Sequence, residues 1–287
     1  MEKEKVVGSM SDWSGLLKDF FRQIDDGSFT REMLKAVNEH RNPFTEPLAV
    51  VLNFKEELIA KTTKLLSNRF GKKIVVDPLP DWFTEENLAK AAAFNLKPVF
   101  LPDEKIGHER PLRNWLKPNG WFYDQIQNGK IAADSAQLKR GWYLADFTIG
   151  ADYNDGTQVF QNDPLAPIIA RLRQEGKIGK KDKTPIGSRF AIMPKDEWPI
   201  VLAELANELG LKPEQLRLER AIEFNAIGNL YDKHRGGFHM WEWFADDFED
   251  SHRLNGGNRD SGGLTNISYS WAVFRRDDVA GRPLVSF

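Results

Sequence analysis

Residues 236–244 read Gly-Gly-Phe-His-Met-Trp-Glu-Trp-Phe, residues 253–258 read Arg-Leu-Asn-Gly-Gly-Asn, and residues 281–287 read Gly-Arg-Pro-Leu-Val-Ser-Phe. Three short apolar runs lie in this stretch: Phe238 to Phe244, Ile267 to Phe274, and Pro283 to Phe287. β-Branched and aromatic side chains suit a pleated, half-buried surface, and Gly clusters punctuate the gaps, so each run predicts a strand. Within the middle run Ile267, Tyr269, Trp271 and Val273 alternate with Ser268, Ser270, Ala272 and Phe274. Strand side chains alternate faces, so the first set is expected against the core and the second outside.

The same stretch has a restricted alphabet. Between Ser251 and Phe287 there is no Lys, Glu, Gln or Met in 37 residues, whereas the first 250 residues contain 22 Lys, 20 Glu, 8 Gln and 5 Met. At that rate roughly eight would be expected in the tail. Burial disfavours long charged side chains, but five Arg and three Asp remain, so burial is an incomplete explanation.

Length and composition set the bounds. A chain of 287 residues can bury a sizeable core as one large or two modest domains. Net charge is −2 with balanced signs, so there is no basic footprint for nucleic acid or an anionic membrane. Without cysteine there are no disulfides, thiolate metal sites or thiol nucleophiles. No apolar run has the length of a transmembrane helix, and no signal-peptide core follows the charged start Met1 to Lys5; a protein soluble as made is expected.

Residues 1–75 read as a helical region. Trp13, Leu16, Leu17, Phe20, Phe21 and Ile24 share one face of a helix capped by Ser11, and Thr30 caps a second to about His40. A third is expected from about Lys55 to Phe70, stopped by Gly71. Residues 76–287 read as one α+β domain. Ile74 to Val76, Lys97 to Leu101, Gly141 to Ile149 and Ser188 to Met193 predict strands. Helices are expected after Thr84 and over Pro164 to Glu175, Pro194 to Leu209 and Pro213 to about Asn225. Pro102 to Gly141 reads as ordered irregular structure pinned by Trp115, Trp121 and Phe122.

Candidate chemistry is sparse. His234, His239 and Glu242 have metal-like spacing, but it crosses Gly236-Gly237 into a strand, where ligands three apart point to opposite faces. Asp152 to Gly156 lacks a residue and the closing Glu of a calcium loop, which favours a turn. Asp246, Asp247, Glu249 and Asp250 read as a solvated acidic loop, and Lys177 to Lys183 as an exposed basic one. No nucleophile with a base and orienter is visible, nor a phosphate-cradling glycine loop; neither catalysis nor a cofactor is expected.

Four segments, in order, carry a resemblance. Arg189-Phe-Ala-Ile-Met-Pro-Lys-Asp-Glu-Trp198 resembles the Arg-Leu-Pro-x-x-x-Glu-Trp signature of the formylglycine-generating-enzyme-like branch of the C-type lectin fold. It departs in having Met before Pro and one residue fewer before Glu-Trp. Gly237 to Trp243 is similar to that branch's Gly-Asn-Val-Trp-Glu-Trp, Arg253 to Gly257 to its Arg-x-x-Arg-Gly-Gly, and Gly281-Arg282-Pro283 stands where it ends in Gly-Phe-Arg. The resemblance covers about the last hundred residues and none of the first 185.

Within that fold the chain most resembles the variable proteins of diversity-generating retroelements. There a C-terminal region is rewritten by copying a template with errors at adenines. Template codons of the form AAY then yield fifteen residue types and exclude Lys, Glu, Gln, Met and Trp, as the tail does with Trp271 as a fixed, inward exception. The resemblance implies a C-type lectin-like fold with an N-terminal helical region and a variable region at about 251–287. A rigid scaffold there presents outward side chains to a macromolecular ligand, expected to be a protein; display on a cell or virion surface is compatible with this. The expected ligand-binding positions are Asp260, Ser261, Thr265, Asn266, Ser268, Ser270, Ala272, Val273, Phe274, Arg276 and Asp277, with Phe274 and Arg276 as anchors. A fixed-specificity adhesin or lectin is the first alternative, although the calcium-lectin triplets Glu-Pro-Asn, Gln-Pro-Asp and Trp-Asn-Asp do not occur. An enzyme of the formylglycine-generating or iron-dependent type is the second, and it lacks the cysteines.

Overall fold

The computed structural model describes residues 35, 47–108 and 114–287, with side chains from residue 54 onward apart from Lys35. The two helices expected before residue 41 lie outside these apart from Lys35, which is helical. The chain divides into two units, Met1–Glu56 and Glu57–Phe287, and the strands of the described residues lie in the second. Helix α1 (Pro47–Phe70) ends at Gly71, whose φ of +64° is the left-handed conformation that terminates a helix without a Cβ penalty. Leu66 and Phe70 are buried with Val99 and Trp142 in one core, so the second unit begins inside α1 and not after residue 75.

The second unit is α+β. Helix α2 (Glu85–Ala93) begins where the Thr84 side chain accepts from the Asn87 N–H. Strands β1 (Leu96–Leu101) and β2 (Gly141–Asp146) follow, with α3 (Gly120–Gln127) between them. Then come α4 (Ala166–Gln174), α5 (Trp198–Leu209), β3 (Leu216–Leu218) and α6 (Ala221–Leu230). The last strands are β4 (Trp241–Phe248), β5 (His252–Gly256), β6 (Ile267–Trp271), β7 (Val279–Gly281) and β8 (Pro283–Ser286). One antiparallel sheet has the order β1-β2-β8-β3, and the other has the order β6-β5-β4-β7, with β7 parallel to β4. The larger core gathers the first sheet with α1, α2, α4 and α5, and a second core lies between the other sheet, α3 and α6.

Three expected elements take other forms. Ile74 to Val76 and Ser188 to Met193 pair with no strand. Arg173 satisfies the carbonyls of Ser188 and Phe190 instead, donating at 2.9 and 2.8 Å. The helix expected over Pro213 to Asn225 is a 3-10 turn, then β3, then α6.

Gly281 and Arg282 join the two sheets. A Cβ on Gly281 would come within 2.5 Å of the Trp198 ring, so only glycine lets β7 approach α5 there. Arg282, fully enclosed, donates from Nε to both carboxylate oxygens of Glu242, at 2.9 and 2.8 Å. Arg189 similarly donates to Asp163 at 2.8 and 2.7 Å and contacts Asp146. Burial alone would raise the Asp146 pKa, but the Arg189 and Arg282 guanidinium groups outweigh it and hold it below the usual carboxylate value. Buried charges are tolerated only when paired in this way.

Candidate functional site

Strand β6 is the outer strand of its sheet, and its alternation has the expected phase but not the expected burial. Ile267 is buried with Leu254, Phe244 and Phe248. Tyr269 and Trp271 lie on that same side but are 43% and 47% exposed. The core ends beneath Ile267, and the strand runs past it. Trp271 is therefore not the buried residue that alternation predicts, and Val273, beyond the end of β6, is 49% exposed. In β4, Trp243 is buried, whereas Trp241 is only half-buried.

The overhanging rings are ordered by stacking. Tyr269 stacks on Phe248 at 4.2 Å between centroids and on Trp121 at 5.7 Å. His252 meets the Tyr269 ring edge-on at 5.2 Å and lies against Trp271 at 4.0 Å. Phe274, 56% exposed, is 6.2 Å from Trp271. Ring pairs in such geometries add about 0.5–1.5 kcal/mol beyond their area, enough to hold a half-exposed ring in place.

A groove of about 1250 Å³ opens along β6 and these rings. Seven of the eleven expected binding residues line it: Asp260, Ser268, Ser270, Val273, Phe274, Arg276 and Asp277. Four do not. Ala272 is buried, because alternation stops where β6 ends and its N–H turns to the Ser251 carbonyl at 3.0 Å. The Thr265 hydroxyl donates to the Gly262 carbonyl at 2.8 Å, Asn266 is half-buried, and Ser261 is exposed on a 3-10 turn away from the groove. Sequence reasoning missed Tyr153, Lys181, His239, Trp241, His252, Asn258, Tyr269, Trp271 and Arg275, which also line it. Alternation had turned Tyr269 and Trp271 inward. The others lie outside the β6 run and carry no periodic signal.

Charged groups in the groove are paired. Lys181 donates to Asp277 at 3.0 Å. Arg276 donates to Asp278 from Nε and Nη2 at 2.9 and 2.6 Å, and to Ser270 Oγ at 2.9 Å. The hydrogen bond it donates to Asp278 is the main reason the Arg276 pKa is raised. Arg275 contacts Glu197, and His239 Nε2 lies 3.0 Å from Asp260.

No match is found among protein-family models, curated proteins or solved structures. What the site can do therefore rests on its own geometry.

The backbone of residues 258–278 is held largely by groups outside it. The Asn119 N–H and side chain donate to the Thr265 and Ile267 carbonyls at 2.6 and 3.1 Å. The Asn225 side chain donates to Leu264 O at 2.8 Å, and the Ala191 N–H to Arg276 O at 2.9 Å. The Trp241 N–H donates to Asp278 O at 2.9 Å, and Gln158 holds Asp277 O. These bonds reach main-chain atoms and so do not themselves require a particular tail side chain.

Among the described residues no three His, Asp or Glu side chains are grouped to hold a metal ion. Glu242 is engaged by Arg282, and His234 is an exposed loop residue. Asp246 is buried and accepts from the Ala221 N–H at 2.7 Å, Asp247 pairs with Arg253 and Glu249 with Lys130, so the acidic run is dispersed. Residues 154–157 form the expected turn, closed by Thr157 N–H to Asn154 O at 2.9 Å. Among the described residues no helix is long and apolar enough to cross a membrane.

Proposed function

We propose that this chain is a ligand-binding variable protein of the diversity-generating-retroelement type, with a C-type lectin-like domain that presents the outer surface of its tail to a macromolecular partner and catalyses nothing. The observation that carries this reading is the division of labour in residues 258–278. Beyond pairing with β5 and its own turns, their main chain is tied down by Asn119, Asn225, Gln158, Ala191 and Trp241, all outside the restricted-alphabet stretch, while seven expected binding side chains face one groove. Such an arrangement lets side chains change without loss of the backbone, and a rigid surface avoids ordering costs on binding. The lectin-like assignment is further supported by Glu242 and Arg282, which belong to two of the four resembling segments and pair with each other.

The test is to randomise Asp260, Ser268, Ser270, Phe274 and Arg276 together within the fifteen-residue set. Thermal midpoints of the full chain should stay close to the parent in most variants: Asp260 and Phe274 are exposed, where substitutions usually cost within about ±0.5 kcal/mol, and the half-buried Ser268, Ser270 and Arg276 line the groove and not the core. Loss of folding in most variants would refute the reading. A reverse-transcriptase gene beside a near-copy of the segment encoding 251–287 is the corresponding genomic expectation.

One observation favours a fixed-specificity binding protein as the second reading. Trp271, outside the fifteen-residue set, is half exposed and lines the groove, where a wholly variable surface would not place it. Absence of any template copy would decide for that reading.

A further inference from the structure

Of the tail residues that line the groove, Trp271 alone lies outside the fifteen-residue set, and it sits at the end of the ring stack. That stack is rooted outside the tail, because Tyr269 rests on Phe248 and Trp121. His252 then links Tyr269 to Trp271 at 5.2 and 4.0 Å. The Trp271 ring is therefore held in place before any ligand arrives, at the junction of exposed aromatic faces that binding hot spots favour.

The groove makes no charge demand on an occupant. Of its formal charges, Lys181, Arg275 and Arg276 are cations, and Asp260, Asp277 and Asp278 are anions, so the two signs balance; all but Asp260 pair with an opposite charge within the protein, and Asp260 lies 3.0 Å from His239 Nε2. A charged ligand would compete with these existing pairs. Sugar rings also stack on aromatic faces, but two of the three carboxylates that could accept from their hydroxyls, Asp277 and Asp278, are already paired with cations. The volume, about 1250 Å³, exceeds the usual small-molecule range of about 300–1,000 Å³ and suits a protruding loop.

We propose that Trp271 is a constant aromatic anchor common to all versions of the tail, and that the groove receives an uncharged protein loop with an aromatic or branched apolar tip. The constancy of the anchor rests on the variable-surface reading; the class of occupant does not.

The probe is a phage-displayed library of disulfide-closed random loops, selected on the immobilised full-length chain. Kd values of the selected loops are then measured against the parent, Trp271→Ala, Trp271→Phe and the fivefold tail variant of the preceding section. Melting curves establish that each is folded. Selected loops should have uncharged aromatic or branched tips; Trp271→Ala should weaken them by at least about tenfold, and Trp271→Phe should recover most of the loss. Loops with acidic or basic tips would overturn the proposal, as would a change within about threefold on Trp271→Ala. So would a library that yields no binders, including the case in which an array of neutral oligosaccharides binds instead. The two readings fail separately. Loops that need Trp271 but ignore the fivefold change retain the anchor and sink the variable surface, whereas loops lost on the fivefold change but indifferent to Trp271 do the reverse.

Discussion

Replacing Arg282 with Met isolates the buried pair between the sheets. The Met stem fills much of the same volume, so the change removes charge more than packing. It leaves both Glu242 oxygens without the donor they had at 2.9 and 2.8 Å, and the Thr148 carbonyl without its 2.5 Å donor, in a site about 5% exposed. Removing one partner of a buried pair costs about 3–5 kcal/mol. For a unit of 231 residues (287 − 56), each kcal/mol lowers the midpoint by about 2–4 °C, so a fall of about 6–20 °C is expected. Glu242→Gln should cost less, because Arg282 keeps Asp146 at 3.9 Å as a second carboxylate. The double variant should be more stable than Arg282→Met alone, since no orphaned carboxylate remains. Urea unfolding of the four proteins gives the cycle. A loss below about 1 kcal/mol for Arg282→Met, or a larger loss for Glu242→Gln, would refute the account.

Further expectations follow from burial. Trp243→Ala should cost about 3–5 kcal/mol as a large-to-small core change, while Trp271→Ala at the overhanging end of β6 should cost about 1 kcal/mol or less in the same melts. Burial pushes the Glu219 carboxyl up to about 7, although Arg235 opposes it. The folded state then holds a proton that the unfolded state has released, so this contribution is fully present below about pH 4.5 and is lost as pH rises to about 7. Relative to Glu219→Gln, the parent should lose stability across that window; parallel pH profiles of the two would contradict this. Chelator should leave the midpoint unchanged, since no three metal-type ligands are grouped among the described residues; a drop on dialysis against EDTA would show otherwise.

Sequence patterns reached the elements whose stability is local and missed those made by their neighbours. Thr84 and Gly71 mark helix ends by their own conformational chemistry, and β6 is rich in β-branched and aromatic residues. Strand β5, His-Arg-Leu-Asn-Gly, has little propensity of its own and is extended because β4 and β6 pair with both its edges. The reverse holds at Ser188 to Phe190, which look like a strand but bond to Arg173. At the groove, alternation gave the side that Tyr269 and Trp271 face but not where the core beneath them stops. That limit is set by Phe122, Phe224 and Phe244, residues distant in the chain.

The position of β8 bears on how the domain is made. It lies between β2 and β3, with Leu144 opposite Val285, a separation of 141 residues (285 − 144). Strands β1 and β2 are synthesised long before the strand that completes their sheet. Contacts this distant in sequence form slowly, and a nascent chain waiting for them exposes an unfilled sheet edge. Strand β8 lies within the restricted-alphabet stretch 251–287, so on the proposed variable-tail reading closure of the first sheet depends on the stretch that varies. On that proposed reading, a version that mispositions Pro283 to Ser286 would be removed by quality control during folding, before any ligand could select among the survivors.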